Sequence, residues 1–319
     1  MNRALLLKSW QETRLLFVGC ALWLFAFCWV RVWIVSRMER SRFESILEQF
    51  GDLVETVSPV AISHLVSFTG RIAIAYDDAL VVFVLLAFAI SRGSDVVSGE
   101  LGRGTLEMLL AQPVSRLQVL GSQAMVTVVG LALLSACTWA GTWAGIHTTT
   151  ARVEEPVSVR IMPGLSLPVP FAKPKIVEQP MRTEVDPLLL APASVNLFCL
   201  GLCFAGGTSL LSACDRYRWR TIGITLALLV IQMITKIVGM LVAGWGWLKF
   251  ASVLSAYEPQ RLVEIATTRP EFAWSFTMTA SGHTVTGPLG YDAVLAGVGI
   301  VSYLIAALVF TQRDLPAPL

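Results

Sequence analysis

The sequence predicts an all-α polytopic membrane protein with six transmembrane helices. Three observations carry that reading. Hydrophobic residues fill 55% of the 319 positions and charged residues only 14%, against about 25% charged in an ordinary soluble domain. Six apolar runs reach the roughly 20 residues needed to cross a hydrocarbon core of about 30 Å. The segments between them alternate short and long. A net charge of +2 offers no strongly basic surface, so nucleic acid is not an expected partner.

The chain opens with "MNRALLLKSWQETR", where Lys8, Gln11, Glu12 and Arg14 interrupt any early apolar core. It therefore does not read as a cleavable signal. Leu5, Leu6 and Trp10 share one helical face, with Arg3, Lys8 and Glu12 elsewhere. This predicts a short N-terminal amphipathic helix on the membrane surface; the alternative is the first turns of span one.

The spans are predicted at about 15–35, 72–90, 119–146, 188–213, 221–247 and 291–311. The second is the weakest, because Asp77 and Asp78 sit inside it. Gly141 and Gly145 form a GxxxG in the third, which permits close helix approach within the subunit or in a dimer. Asn196 in the fourth reads as a helix–helix hydrogen bond. Cys199 and Cys203 share a face of that span and read as core packing. The six cysteines fall in or at the ends of apolar runs, and His64, His147 and His283 are isolated. No disulfide framework or metal site is expected.

Six spans put both termini on one side. The turn "DRYRWR" (215–220) and the N-terminus carry arginines and a lysine on that side. The positive-inside rule makes it the cytoplasm. "RMERSR" (37–42) puts three arginines on the opposite side, in a longer segment where the rule weighs less. The outer segments 36–71, 148–187 and 248–290 are the long ones. Segment 148–187 is rich in proline (Pro156, Pro163, Pro168, Pro170, Pro174, Pro180, Pro187). Proline at this density prevents a continuous helix, leaving a small β excursion or an irregular loop. The water-exposed parts are too short for a second domain, so residues 1–319 are read as one membrane domain.

The stretch "SGELGRGTLEMLLAQPVSR" (98–116) interrupts two apolar runs. Gly99, Gly102 and Gly104 permit tight or left-handed backbone. Thr105 reads as an N-cap of a helix to Gln112, with Leu106, Leu109 and Leu110 at helical spacing. Pro113 stops that helix. Ser115 and Gln118 form a capping-box pattern opening span three. Glu100, Arg103, Glu107 and Arg116 are expected to carry charge on the water side of a short amphipathic helix parallel to the membrane; the alternative is an ordinary interfacial loop.

These residues resemble the signature of ABC type 2 permeases. Glu100, Gly104, Thr105, Leu106, Glu107, Leu109, Leu110, Pro113, Ser115 and Arg116 match its pattern, and "SAYEPQRLV" (255–263) resembles the segment before the family's last span. The resemblance implies that the interval after span two docks on a separate ABC ATPase subunit. Glu100, Arg103, Gly104, Thr105, Leu106, Glu107, Pro113, Ser115 and Arg116 would form or shape that contact. It also implies a plasma-membrane exporter with two ATPase copies and a second permease subunit, the same chain or a paralogue. A prokaryotic inner membrane suits it. No Gly-Lys pair occurs in the sequence, so no P-loop can form here. ATP and Mg are expected on the ATPase and no cofactor on this chain.

Charges at membrane depth default to a functional reading. Asp77 and Lys236 lie thirteen and fifteen residues from the cytoplasmic ends of spans two and five, on the order of 20 Å deep. Lys236 is expected near Asp77 or Asp78, with Gln232 one turn away, as pathway candidates. Two other classes stay open. One is a membrane scaffold or mechanical transducer acting on an external partner. The other is an intramembrane enzyme using Asp77 and Asp78, although neighbours on one helix diverge by about 100°.

Overall fold

The computed structural model describes residues 3–38, 43, 49, 60–155, 158–162, 165–168, 175–242, 244–280 and 283–313. Six helices are long and apolar enough to cross a membrane: Arg3–Arg37, Phe68–Gly102, Arg116–Thr148, Pro187–Cys214, Arg218–Leu241 and Pro288–Gln312. They are numbered here as spans one to six.

Span one is a single helix from Arg3 to Arg37, so the expected separate amphipathic helix does not form. No glycine or proline lies between Arg3 and Val18 to break it. Lys8 and Glu12 pair at 3.6 Å one turn apart. The polar turns also have a use: Leu5, Ser9 and Thr13 are buried against the rest of the protein.

Span two is built in pieces. Phe68–Asp77 is capped by the Ser67 side chain, which accepts from the Gly70 amide. The helix breaks at Asp78, where the backbone is extended and the carboxylate accepts from the Leu80 amide to restart it. Residues Asp95–Gly99 then form a π-helical turn, and Glu100–Gly102 one last helical turn. The helix starts before the predicted residue 72 because Arg71 is buried: it lies 4.3 Å from the Phe68 ring and donates to the Met38 carbonyl.

Span three begins on the expected capping box, with the Ser115 hydroxyl on the Gln118 amide and the Gln118 side chain on the Ser115 amide. Span five ends at Leu241, short of the predicted residue 247. Gly244, at φ +86°, turns the chain into the short helix Leu248–Ala251.

Span four is the most enclosed span, and it packs on spans two, three and six. A Cβ on Gly206 would collide with the Gly299 carbonyl, and one on Gly299 would lie 2.6 Å from the Leu202 carbonyl oxygen. Spans four and six thus touch backbone to backbone. The GxxxG of span three serves packing inside the chain: Gly141 and Gly145 face Phe25, Cys28 and Val32 of span one. Span five buries only Thr221, Thr225 and Gly239 among its described side chains.

The proline-rich segment is a β excursion. Strands β1 (Thr150–Glu155) and β4 (Lys175–Pro180) pair antiparallel, and β2 (Ser158–Met162) pairs with β3 (Leu165–Pro168). Pro168 and Pro180 sit at strand ends, where a missing amide donor costs least. Pro156, Pro163, Pro170 and Pro174 lie outside the described residues, as do Arg40 and Arg42 of "RMERSR". A third hairpin pairs β5 (Thr277–Ala280) with β6 (His283–Thr286). The helix Pro259–Thr268 packs against Phe68–Asp77.

Candidate functional site

The end of span two and the residues after it are held by buried charge. Asp95 is 5% exposed. Its carboxylate meets Arg103 at 2.7 Å, Arg218 at 3.3 Å and Arg92 at 3.4 Å. Arg92, itself buried, also donates to the Ser9 hydroxyl and the Gln123 side-chain oxygen, both at 3.2 Å. Glu100 is fully buried. Lys8 reaches it at 2.7 Å, Gln123 at 3.4 Å and Arg103 at 3.5 Å, and the Thr105 hydroxyl donates to its carboxylate. The hydrogen bond to Asp95 raises Arg103 above the ordinary arginine range, so the guanidinium keeps its charge.

The π-helical turn makes this convergence possible. A π turn shifts the helical register and frees backbone amides. The Val97 and Ser98 amides both donate to the Ser212 hydroxyl oxygen, at 3.2 and 2.9 Å. Ser212 in turn donates to the Ser94 carbonyl. The turn is thereby fixed to span four, while Asp95 faces span five and Glu100, the next residue after the turn, faces spans one and three. The segment is tied to spans one, three, four and five through hydrogen bonds and ion pairs.

The helix expected after the glycines is present as Thr105–Leu110. Gly104 supplies the left-handed residue before it, at φ +71°. Leu106 is fully buried among Val96, Val97, Leu120 and Phe310. Met108, on the same short helix, is 72% exposed. Pro113 and Ser115 are exposed, and Ser115 caps span three. The Glu107 side chain lies outside the described residues.

Three expectations change. Glu100 points into the protein, where Lys8, Arg103 and Gln123 offset the desolvation of its carboxylate. Thr105 is the first helical residue rather than a cap, since its hydroxyl is committed to Glu100. Arg116 does not face water as free charge: one of its terminal nitrogens donates to the carbonyls of Phe310 at 3.1 Å and Arg313 at 2.6 Å. It caps the C-terminal end of span six, where carbonyls lack helical partners. Arg116→Leu is therefore expected to lower stability by about 2 kcal/mol. The check is an unfolding titration of the purified chain, and Arg116→Lys should recover part of the loss.

The pathway candidates lie elsewhere. Asp77 is exposed, accepts a hydrogen bond from Gln260 and lies in the field of Lys236 and Glu258. Lys236 makes no direct ion pair with it among the described residues. Its ammonium donates to the carbonyls of Leu254 and Tyr257, at 2.9 and 3.1 Å. Gln232 accepts from the Val253 amide at 2.7 Å. Both residues thus anchor the 252–257 segment to span five. Asp78 is turned away as the cap of Leu80, so Asp77 and Asp78 do not converge on one reacting group. Glu258 is held by Arg261 at 3.2 Å.

Sequence reasoning missed Lys8, Arg92, Asp95, Gln123 and Arg218. Arg92 and Asp95, one turn apart beside an apolar run, were the available signal. It also missed Asp292, which accepts from Asn196 at 2.8 Å; this is the inter-helix hydrogen bond expected of Asn196.

A family model described as ABC-2 family transporter protein matches residues 10–315. No curated protein matches the chain.

Proposed function

The chain belongs to the ABC-2 transporter family, matched over nearly its whole length, and from that premise we propose that residues 98–116 are the surface through which a separate ABC ATPase drives it. The protein is a multi-pass membrane permease, and its family implies an ATPase partner. The observation that carries the coupling role is the buried cluster around Asp95 and Glu100. It joins the end of span two to spans one, three and five. A force applied to the short helix Thr105–Leu110 is then shared by the bundle rather than absorbed by a loose loop. The helix also offers an exposed Met108, a side chain that adapts to a partner groove.

On this reading ATP and Mg bind the ATPase, in two copies, and a second permease subunit, identical or paralogous, completes the pathway. Transport is outward across the plasma membrane, a prokaryotic inner membrane fits best, and both termini are cytoplasmic. Asp77, exposed and in the field of Lys236, is the polar group offered to cargo.

Met108→Asp tests the docking surface. It is expected to reduce recovery of the ATPase in a pull-down from solubilised membranes at least tenfold, with the unfolding midpoint of the permease unchanged. Glu107→Lys should act in the same direction. Undiminished recovery in both variants would sink the assignment of this helix to the contact.

A further inference from the structure

We propose that the groove between the end of span two and the start of span five is a binding site for an anionic phospholipid. Its phosphate would lie among Arg103, Arg216 and Arg218, and its acyl chains along span five. The groove has a volume of ≈ 580 Å³, and its lining includes Ser98, Gly99, Trp219 and those three arginines.

Charge is the first argument. Asp95 alone faces Arg92, Arg103 and Arg218. Glu100 is shared between Lys8 and Arg103. Arg216 makes no side-chain ion pair or hydrogen bond among the described residues; only its amide is engaged, by Asp215. The Asp215 carboxylate is taken by Arg220 at 3.4 Å. The described carboxylates therefore leave cations in excess at this groove. The side chains of Arg103 and Arg218 are 42% and 39% exposed, so both bring positive charge to the groove while bonded within the cluster, Arg218 also to Ser91 and Ser94. Arginine forks suit phosphate oxygens.

Position and shape select a lipid. The groove lies where one membrane-crossing helix ends and another begins. Tyr217 and Trp219 are 44% and 73% exposed there, the interfacial placement typical of these rings. Below Trp219 and Ile222 the same face of span five continues as exposed Leu226, Val230 and Met233. A charged niche that opens onto an apolar helix face is complementary to an amphiphile. Basic pockets between spans bind anionic headgroups on this basis. The groove shares Ser98, Gly99 and Arg103 with the 98–116 segment, so the test uses the permease without an ATPase.

The test uses the purified full chain in detergent with dioctanoyl phosphatidylglycerol, dioctanoyl phosphatidylcholine or inorganic phosphate, and native mass spectrometry to count bound lipid. Phosphatidylglycerol should be retained at least tenfold better than phosphatidylcholine. Arg216→Gln should weaken its retention about fivefold while leaving the unfolding midpoint without lipid unchanged. Trp219→Ser should also weaken it, and equimolar inorganic phosphate should not displace it. Equal retention of the two lipids, or unchanged retention in Arg216→Gln, would overturn the site. Displacement by equimolar phosphate would make it an anion site and overturn the lipid assignment.

Discussion

Asp95→Asn is expected to lower the stability of the protein by about 3–5 kcal/mol, the usual cost of removing one partner from a buried ion pair. The substitution keeps the shape of the side chain and removes its charge. Three guanidiniums within 3.4 Å then lose the carboxylate they share, and Arg92 is itself only 4% exposed. The penalty comes from stranded cations, so it should shrink when one is removed. Arg103→Gln added to Asp95→Asn is expected to recover 1 kcal/mol or more in a double-mutant cycle. Denaturant unfolding of the four proteins in one detergent gives the comparison. A loss below about 1 kcal/mol in the single variant, or strict additivity in the cycle, would show that the cluster does not hold the 98–116 segment.

Gly206→Val is expected to abolish the folded protein, and Gly206→Ala to lower its stability by about 2–3 kcal/mol. The obstacle is backbone. An added Cβ meets the carbonyl oxygen, carbonyl carbon and Cα of Gly299, none of which can rotate aside. Spans four and six would have to separate along their contact. The adjacent Gly207 is the control, since an added Cβ there meets nothing within 4 Å. Gly207→Ala should be neutral or stabilise by up to about 1 kcal/mol through helix propensity. The measurement is the folded fraction by size-exclusion chromatography together with unfolding midpoints. Equal behaviour of the two alanine variants would refute the backbone contact.

The architecture was largely legible because membrane spans announce themselves by length and apolarity. The short helix at Thr105–Leu110 and the Ser115–Gln118 cap were legible for a different reason: glycine, proline and capping side chains act over three or four residues. What stayed hidden depends on partners far apart in the chain. Glu100 looks like a surface acid in its own stretch. Its burial follows from Lys8, 92 residues away. Arg116 looks like a water-side charge until the end of span six arrives beside it. Lys236 was singled out as a charge within span five, but its hydrogen bonds go to the Leu254 and Tyr257 carbonyls, which no periodicity reveals. The N-terminal helix was misjudged because an amphipathic face suits a docked helix as well as a membrane surface.

Span three has a consequence for distance. It runs unbroken for 33 residues from Arg116 to Thr148, about 50 Å. Strand β1 follows at Thr150, and the Thr149 carbonyl accepts from the Met181 amide at the return of the hairpin. The far excursion is thus joined to the rod with almost no slack. A tilt of about 10° about Ser115 would carry Thr150 through about 9 Å. Small rotations at the Ser115 end would thereby become large sweeps of the β excursion at the far end of the span.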